Sequence, residues 1–442
     1  MCRITVALAL FCILLPLPLS ARAKDIYVST SGKDANPGTE QAPLATIQKA
    51  VETMRGAGPG TIWIGEGTYH FEHGLVLGIH DGGTESQPLV IRGAGIGKTR
   101  LSGARAVKTL RPISAARART LISSEAKKKV LVADLAGQGF PALDALPVQF
   151  RASGCEEVIF NDLPMQAARW PNDGFATFTE VIDSGASKIT HWVQRNVYRP
   201  GSFRFPGDRA KNWDFQRGVW LHGFWCYDWC DEVLKAASLN PRTGELRFAA
   251  KHAYGIGSPH NKDSKRRFYA VHVFAELDRP GEYYLDRANN LLFFWPPGAV
   301  REGSVQLTIC RQPLIGAAHA ANIIVRDLTL ENGRDCGIHM TDGQHCKVEN
   351  CLVRNMGRSG ISLRGTDVGV THCEVTQTGS YGIGIQGGDR KTLTSGHCYV
   401  LDCRVHHVGR LDWMNGRGIT VRGCGNRLAN NLIYAGPTGA VS

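Results

Sequence analysis

The C-terminal part of the chain is a run of near-repeats, and this run limits the available folds more than any other feature. Residues 346–369 read CKVENCLVRNMGRSGISLRGTDVG and residues 370–393 read VTHCEVTQTGSYGIGIQGGDRKTL, with a longer copy at 399–426 and a weaker one at 322–343. Each copy has a second stretch that begins with Gly-Ile, at Gly337-Ile338, Gly360-Ile361, Gly382-Ile383 and Gly418-Ile419. A period of roughly 22–25 residues indicates units that bury their apolar faces only by stacking. Because the stretches are strand-like and no helical pattern separates them, they predict an all-β fold, a right-handed parallel β-helix solenoid.

The N-terminus has the three parts of a secretory signal. Arg3 supplies the positive charge, an apolar run follows, and Ala21-Arg22-Ala23 is a small-x-small cleavage site. We therefore predict a signal peptide over 1–23, a secreted or periplasmic protein, and no membrane span after cleavage. A membrane anchor is the alternative reading, and the prolines inside the apolar run disfavour it.

The rest of the chain divides into three predicted segments. Residues 24–119 contain an N-terminal capping helix, with Leu44, Ile47, Val51 and Met54 on one face, and the first coils. Residues 120–303 are rich in Trp, lack the period, and predict a β-rich insertion with hairpins. Residues 304–442 predict the later coils. Because the sequence ends inside another unit with no capping segment, we expect further coils to follow it.

The chain is basic and rich in cysteine. Its formal charge is +12, or about +10 once Arg3 and Arg22 are removed. This favours anionic partners in general without choosing among them. Of the 13 cysteines, Cys351, Cys373 and Cys403 occupy equivalent repeat positions, which predicts a buried ladder of thiols rather than disulfides. The CYDWC motif is weak support for a bridge or a metal, and we predict no metal site.

Several motifs resemble those of a known family. The opening DIYVSTSGKDANPGTEQAPLATIQKA, followed by GTIWIGEGTY, resembles secreted bacterial β-helix proteins of the pectate-lyase-like superfamily. The motifs ARWPN, YDWCDE, LDRPGEYYLDR…LLFFWPP and GGDRKTL look like the β-helix group that includes glycoside hydrolase family 141. The likeness covers most of the mature chain. It implies hydrolysis of a plant or algal polysaccharide, and it does not place that family's catalytic carboxylates on this sequence.

Two neighbouring families are less similar. The characteristic motifs of polygalacturonases do not occur here in their order, and the calcium-binding acids of pectate lyases are not found. Arg390 and Lys391 would nevertheless suit a lyase that uses a basic residue as its base.

Two aspartates are candidates for catalysis. Asp367 and Asp389 each lie six residues past the Ile of a Gly-Ile pair, so a regular stack would place them about 4.8 Å apart. Two carboxyls that close raise each other's pKa, which suits a general acid beside an ionised partner. Asp342, with a less certain register, would form a wider pair with Asp389. The alternative reading is that all three aspartates are turn residues.

The long copy adds a loop over 406–417 that carries groups suited to sugar binding, because Trp stacks on a pyranose face and polar groups bind its hydroxyls. In the insertion, two tryptophans beside acids suggest another sugar subsite, with core packing as the alternative. The predicted substrate-binding residues are Arg390, Lys391, His407, Arg410, Asp412, Trp413, Arg417, Trp225 and Trp229.

The sequence thus predicts a secreted glycoside hydrolase that acts on a polysaccharide through paired carboxylates. Two alternatives stay open: a lyase that acts on an acidic glycan by β-elimination, and a non-catalytic carbohydrate-binding surface protein. The expected partner is a polysaccharide, with an anionic one as an option, and not nucleic acid or a second copy. No cofactor is predicted, and a calcium requirement stays open.

Overall fold

The computed structural model describes residues 24–55, 58–151, 154–178, 180–189, 195–257 and 266–442. The predicted signal peptide lies outside the described residues. Within those ranges, no helix combines the length and the apolar character needed to cross a bilayer.

Three parallel sheets wind into a β-helix. Sheet A contains Lys24–Val28, Gly60–Ile64, Leu89–Gly93, Ile323–Arg326, Lys347–Glu349, Gly369–Thr371, Tyr399–Leu401 and Arg427–Ala429. Sheet B contains Gly67–His70, Thr99–Ser102, Thr329–Glu331, Leu352–Arg354, Glu374–Thr376, Arg404–His406 and Leu432–Tyr434. Sheet C contains Leu75–Leu77, Ile315–Ala318, Ile338–Gln344, Ile361–Thr366, Ile383–Asp389 and Ile419–Gly423, with Thr394–Ser395 paired antiparallel at its edge. The predicted parallel β-helix is confirmed.

The Gly-Ile pairs set the register of sheet C. Ile338, Ile361, Ile383 and Ile419 are direct partners in successive strands, and all four have 0% exposure. Alternate residues of each strand point into the coil, so these isoleucines form one apolar column. The column makes the interior continuous from coil to coil.

The N-terminal helix covers the first coils. It spans Ile47–Arg55 and buries Ile47, Ala50, Val51 and Met54. Leu44 precedes it and bridges to Val28 in the first strand. The predicted capping helix is therefore present, but Leu44 lies before the helix and pairs with the first strand.

The thiol ladder is confirmed. Cys351, Cys373 and Cys403 have 0%, 2% and 2% exposure and all three are free thiols. Burial raises the pKa of the Cys373 thiol well above its usual value. The side chains act as small hydrophobic groups in the coil interior.

Each late coil turns its corners on single residues with left-handed backbone. Between sheets A and B these are Asp327, Asn350, His372, Asp402 and Asn430, and between sheets C and A they are Asn322, His345, Asp367 and His397, all with φ between 47° and 59°. Short polar side chains tolerate this conformation. They also bond along the stack, as Asn350 Nδ2 donates to Asp327 Oδ1 at 2.8 Å. Polar residues at corners are thus explained by the fold alone.

The chain leaves the coils after Ser102 and returns at Ile315, since Leu89–Gly93 pairs directly with Ile323–Arg326. We call the intervening segment the inserted lobe; it is wider than the 120–303 that the sequence suggested. Its largest sheet contains Arg169–Trp170, Arg267–Val271, Trp220–Phe224, Asp231–Leu239, Glu245–Phe248, Ser202–Arg204 and Val181–Asp183, with Gln149–Phe150 and Ala176–Thr177 alongside.

Smaller elements complete the lobe. A five-stranded sheet contains Gln166–Ala167, Glu282–Asp286, Leu291–Phe294, Leu131–Asp134 and Arg111–Pro112, and a four-stranded sheet contains Leu163–Pro164, Val158–Phe160, Val305–Thr308 and Ala104–Ala106. Ala186–Ile189 pairs with Arg195–Val197. Helices span Ala115–Ala118 and Ala126–Lys129, with 3-10 turns at Arg209–Asn212 and Phe274–Glu276.

The lobe packs against the late coils through buried charge. Arg410 of the long loop donates two hydrogen bonds to Glu157, at 2.8 and 3.2 Å. Asp231 of the lobe accepts from the backbone N–H of Trp413 and Met414, at 3.2 and 2.8 Å. These contacts hold the loop at 409–417 between the inserted lobe and the late coils.

Candidate functional site

The outer face of sheet C forms a polar groove of about 530 Å³, which we call the sheet C groove. Outward side chains of successive strands form its floor, because alternate residues point away from the coil. The walls come from the turns that precede each strand and from the 409–417 loop. The lining polar residues include Asp335, His339, Thr341, Arg358, Ser362, Arg364, Ser380, Tyr381, Gln386, Asp412, Asn415, Arg417, Thr420 and Arg422.

The groove carries an excess of positive charge. Arg364 pairs with Asp342 at 3.0 Å and Arg358 lies 3.6 Å from Asp335. Within residues 266–442, by contrast, Arg417 and Arg422 have no carboxylate within 4.0 Å. Two arginines are therefore available to anionic groups or to hydroxyls of a ligand.

Two carboxylates face the groove from different coils. The carboxylate of Asp412 accepts from Asn415 through the backbone N–H at 3.2 Å and the side-chain amide at 2.9 Å. Asp335 is 22% exposed at its side chain. The Asp335 carbonyl accepts from the Arg358 N–H, and the Arg358 carbonyl accepts from the Ser380 N–H. Gly379, the neighbour of Ser380, accepts from the Asp412 N–H, so the two aspartates lie three coils apart. Three steps of about 4.8 Å place the two backbones about 14 Å apart along the stack.

The predicted pair Asp367 and Asp389 is not brought together. The strand Ile383–Asp389 stacks in register as far as Gly387, and Gly388 and Asp389 then pair antiparallel with Ser395 and Thr394. Asp367 instead donates its N–H to Gly396 at 2.9 Å. The short hairpin thus displaces Asp389 from the stack, and counting from the Ile landmark does not hold past Gly387.

Both aspartates have structural roles. Asp389 accepts from the backbone N–H of Lys391 at 2.7 Å, which closes the hairpin turn. Asp367 is a left-handed corner residue and lies 3.6 Å from His345. Neither aspartate lines the sheet C groove, and nor do Arg390 and Lys391.

The long loop divides its predicted binding residues between two places. Asp412 and Arg417 line the sheet C groove. Arg410 and Trp413 line a separate cavity under the lobe. His407 is a corner residue whose Nδ1 lies 2.7 Å from Nδ1 of His406.

The two tryptophans of the insertion have different surroundings. Trp225 has 0% exposure, packs on Phe248 with ring centroids 4.7 Å apart, and donates its Nε1–H to the Glu232 carbonyl. It is a core residue, so its prediction as a sugar contact is wrong. Trp229 is 57% exposed and stacks on Tyr227 at 5.2 Å. It presents an aromatic face to solvent.

Sequence reasoning missed Asp335, Arg358, Tyr381 and Arg422. A signal was available, because Asp335, Ser359, Tyr381 and Arg417 lie one or two residues before successive Gly-Ile pairs. Residues just before a common landmark stack like those just after it. Within the described ranges, no three His, Cys, Asp or Glu side chains are placed to hold a metal ion.

Comparison with known proteins supports the fold. The model of a family described as the right handed beta helix region matches residues 308–433, and that of a protein family of unknown function, DUF1565, matches 30–91. The uncharacterized protein YwoF of Bacillus subtilis (strain 168) is 37% identical over 67 residues, which are 15% of this chain and 13% of that protein. The match thus spans a small part of that relative.

Two solved structures are similar at low identity. One described as a glycoside hydrolase has a TM-score of 0.68 at 16% identity, covering 95% of this chain and 85% of the other. A complex of XylC with xylose has a TM-score of 0.42 at 12% identity, covering 95% of this chain and 63% of the other. Together with the family model, the first shows that this chain has the right-handed β-helix fold that the sequence predicted, and it shows the fold alone.

Proposed function

We propose that this right-handed parallel β-helix protein is a carbohydrate-active enzyme that hydrolyses glycosidic bonds of a polysaccharide in the sheet C groove. The observation that carries the proposal is a polar groove lined by two carboxylates and four arginines, Asp335, Asp412, Arg358, Arg364, Arg417 and Arg422. The solved structure described as a glycoside hydrolase, which has the same fold over 95% of this chain, supports the choice of reaction.

Asp335 and Asp412 are the proposed catalytic carboxylates. Hydrolysis needs one protonated acid at the leaving oxygen and one ionised carboxylate for the water or the sugar carbon. Their backbones lie three coils, about 14 Å, apart, so the roughly 5 Å spacing of a retaining pair is out of reach, whereas side chains that extend towards each other would approach the roughly 6.5–9.5 Å spacing of an inverting pair. Asn415 holds Asp412 in place through two hydrogen bonds.

The proposed substrate is an extended, acidic polysaccharide. Arg417 and Arg422 line the groove and would pair with carboxylate or sulfate groups, since the guanidinium fork matches planar anions. We further propose that the protein acts outside the cytoplasm. The signal-like sequence over 1–23 supports this location.

The test compares Asp412→Asn and Asp335→Asn with the parent chain on a panel of acidic and neutral polysaccharides. Reducing-sugar release should fall by several powers of ten in each variant, because a catalytic carboxylate supplies several kcal/mol of barrier lowering. Asp389→Asn is the matched control: it is an aspartate in a turn outside the groove and should keep the parent rate. Elimination is detected in parallel, because an unsaturated product absorbs in the ultraviolet and a hydrolysis product does not. Full activity in both groove variants would contradict the assignment, and absorbing products would replace hydrolysis by elimination.

A further inference from the structure

A second site lies under the inserted lobe, away from the sheet C groove. A cavity of about 270 Å³, which we call the lobe cavity, is enclosed by lobe residues and by Arg410, Leu411 and Trp413 of the long loop. This volume suits one sugar ring better than a polymer. Leu411 and Trp413 line the lobe cavity while Asp412 and Asn415 line the groove, so the loop forms the wall between them.

Three lobe residues form a hydrogen-bonded chain at the cavity. His222 Nδ1 lies 2.5 Å from the Tyr269 hydroxyl, and His222 Nε2 lies 2.7 Å from Asp231 Oδ2. Their exposed fractions are 2% for His222, 2% for Asp231 and 8% for Tyr269. They come from three neighbouring strands, so the arrangement is rigid.

The ionised Asp231 sets the direction of the proton chain. Burial alone would raise its pKa, but the hydrogen bond from His222 and those from the Trp413 and Met414 N–H groups outweigh burial and lower it. A carboxylate accepts only, so His222 donates to it through Nε2, and the neutral form of His222 then accepts at Nδ1. The Tyr269 hydroxyl donates to this Nδ1, so its oxygen keeps its acceptor capacity for a ligand. Tyr269 thus offers the cavity a hydrogen-bond acceptor that stays protonated, because burial raises its pKa.

Arg169 places a cation beside that acceptor. Its guanidinium carbon lies 3.9 Å from the centre of the Tyr269 ring. Among the described residues, two of its donors bind the carbonyls of Pro171 and Gly174, at 2.8 and 2.5 Å, and no carboxylate lies within 4.0 Å. A guanidinium has five N–H groups, so three are available to a ligand.

The other charges that face the cavity are neutralised. Glu157 is held by Arg410, and Glu156 by Arg287 at 2.6 Å and Arg334 at 2.9 Å. Burial lowers the pKa of His272 to about 3, which keeps it uncharged. Among the described residues that line the cavity, Arg169 is therefore the cation that lacks a carboxylate partner within 4.0 Å.

We propose that the lobe cavity is a binding site for a single carboxylated sugar unit, a uronate, with Arg169 on its carboxylate, Tyr269 accepting from a ring hydroxyl, and Trp413 against its apolar face. A uronate has the three complementary features on one ring: an anion, hydroxyl donors and a C–H face. Neutral sugars lack the carboxylate that would offset the cost of removing Arg169 from water.

The test is calorimetric titration of the intact chain with D-glucuronate and D-galacturonate, with D-glucose as the neutral match. At least one uronate should bind and glucose should bind at least tenfold more weakly. Arg169→Gln should abolish this preference, and Tyr269→Phe should weaken uronate binding several-fold. Arg390→Gln, which removes an exposed arginine in the sheet C hairpin, should change neither.

Folding and the neighbouring groove are controlled separately. Each variant is compared with the parent by circular dichroism and thermal melting, and Trp413→Leu provides a second test if Arg169→Gln unfolds. Asp412→Asn should keep uronate binding while it loses hydrolysis, which separates the failure of this proposal from the failure of the proposed function. Equal affinity for glucose and both uronates, no binding of either uronate, or an equal loss in Arg390→Gln would each overturn the proposal.

Discussion

Loss of the Glu157 carboxylate should loosen the 409–417 loop from the lobe. Glu157 has 5% and Arg410 18% of its side chain exposed, and two hydrogen bonds join them. Glu157→Gln would leave the Arg410 guanidinium buried opposite a neutral amide. Breaking a buried pair in this way costs about 3–5 kcal/mol, and the partial exposure of Arg410 favours the lower limit. The bond from Arg410 Nε to the Gln377 carbonyl remains.

Hydrogen exchange of the loop amides measures this effect directly. If the opening free energy of the loop falls by about 3 kcal/mol, exchange at 409–417 should become about a hundredfold faster. Amides of the sheet C strands should exchange at the parent rate, because their bonds do not depend on the pair.

Two further variants test whether faster exchange comes from the unpaired buried charge of Arg410 and not from the loss of an ion pair as such. The double variant Glu157→Leu with Arg410→Met should recover most of the loss, since replacing both partners by apolar groups removes the unpaired charge. Glu66→Gln, which breaks an exposed pair with Lys98, should shift local exchange by less than about 1 kcal/mol. If Glu157→Gln leaves loop exchange unchanged, the pair does not hold the loop, and Arg410 is free to serve as the sugar contact that the sequence suggested.

Two other predictions concern the thiols and one buried acid. Cys351, Cys373 and Cys403 should resist iodoacetamide in the folded protein and react on unfolding, which mass spectrometry of the labelled peptides will show; rapid labelling of folded protein would contradict the closed interior. Burial raises the pKa of Glu282 from 4.5 to about 8, so the folded protein keeps a proton that the unfolded chain has lost, and stability should fall as pH rises through this interval. Glu282→Gln keeps the neutral form and should flatten that decline in thermal melting curves; an unchanged slope would mean that Glu282 is ionised in the folded protein.

The coils were predictable because their signal is local and repeated. Each Gly-Ile pair marks the start of a sheet C strand, and the equivalent cysteines stack as their spacing requires. The same counting failed for Asp389, because Gly388 begins a hairpin that residue counting cannot distinguish from a longer strand. Asp367 was ambiguous for another reason: an aspartate at a left-handed corner has the same sequence signature as one in a cleft.

The lobe was less accessible to sequence reasoning. Trp225 and Trp229 belong to one short motif, yet one is a core residue and the other is exposed, since an irregular loop has no period that separates inside from outside. The lobe cavity draws Arg169, His222, Tyr269 and Trp413 from four distant segments. Only the tertiary fold brings such groups together, so no regular spacing along the chain predicts the site that they form.

The regular stacking of the coils fixes the distance between the positions at which the β-helix contacts successive sugars of a ligand. Each coil raises the outward side chains of sheet C by about 4.8 Å, a step close to the length of one sugar ring in an extended chain. The hairpin after Gly387 leaves the stack and rejoins it in phase, since Gly369–Thr371 still pairs with Tyr399–Leu401. An insertion at a corner can therefore add residues at the edge of the groove without altering the distance between coils. A substitution on the groove floor would therefore affect one sugar position and leave the spacing of the others unchanged.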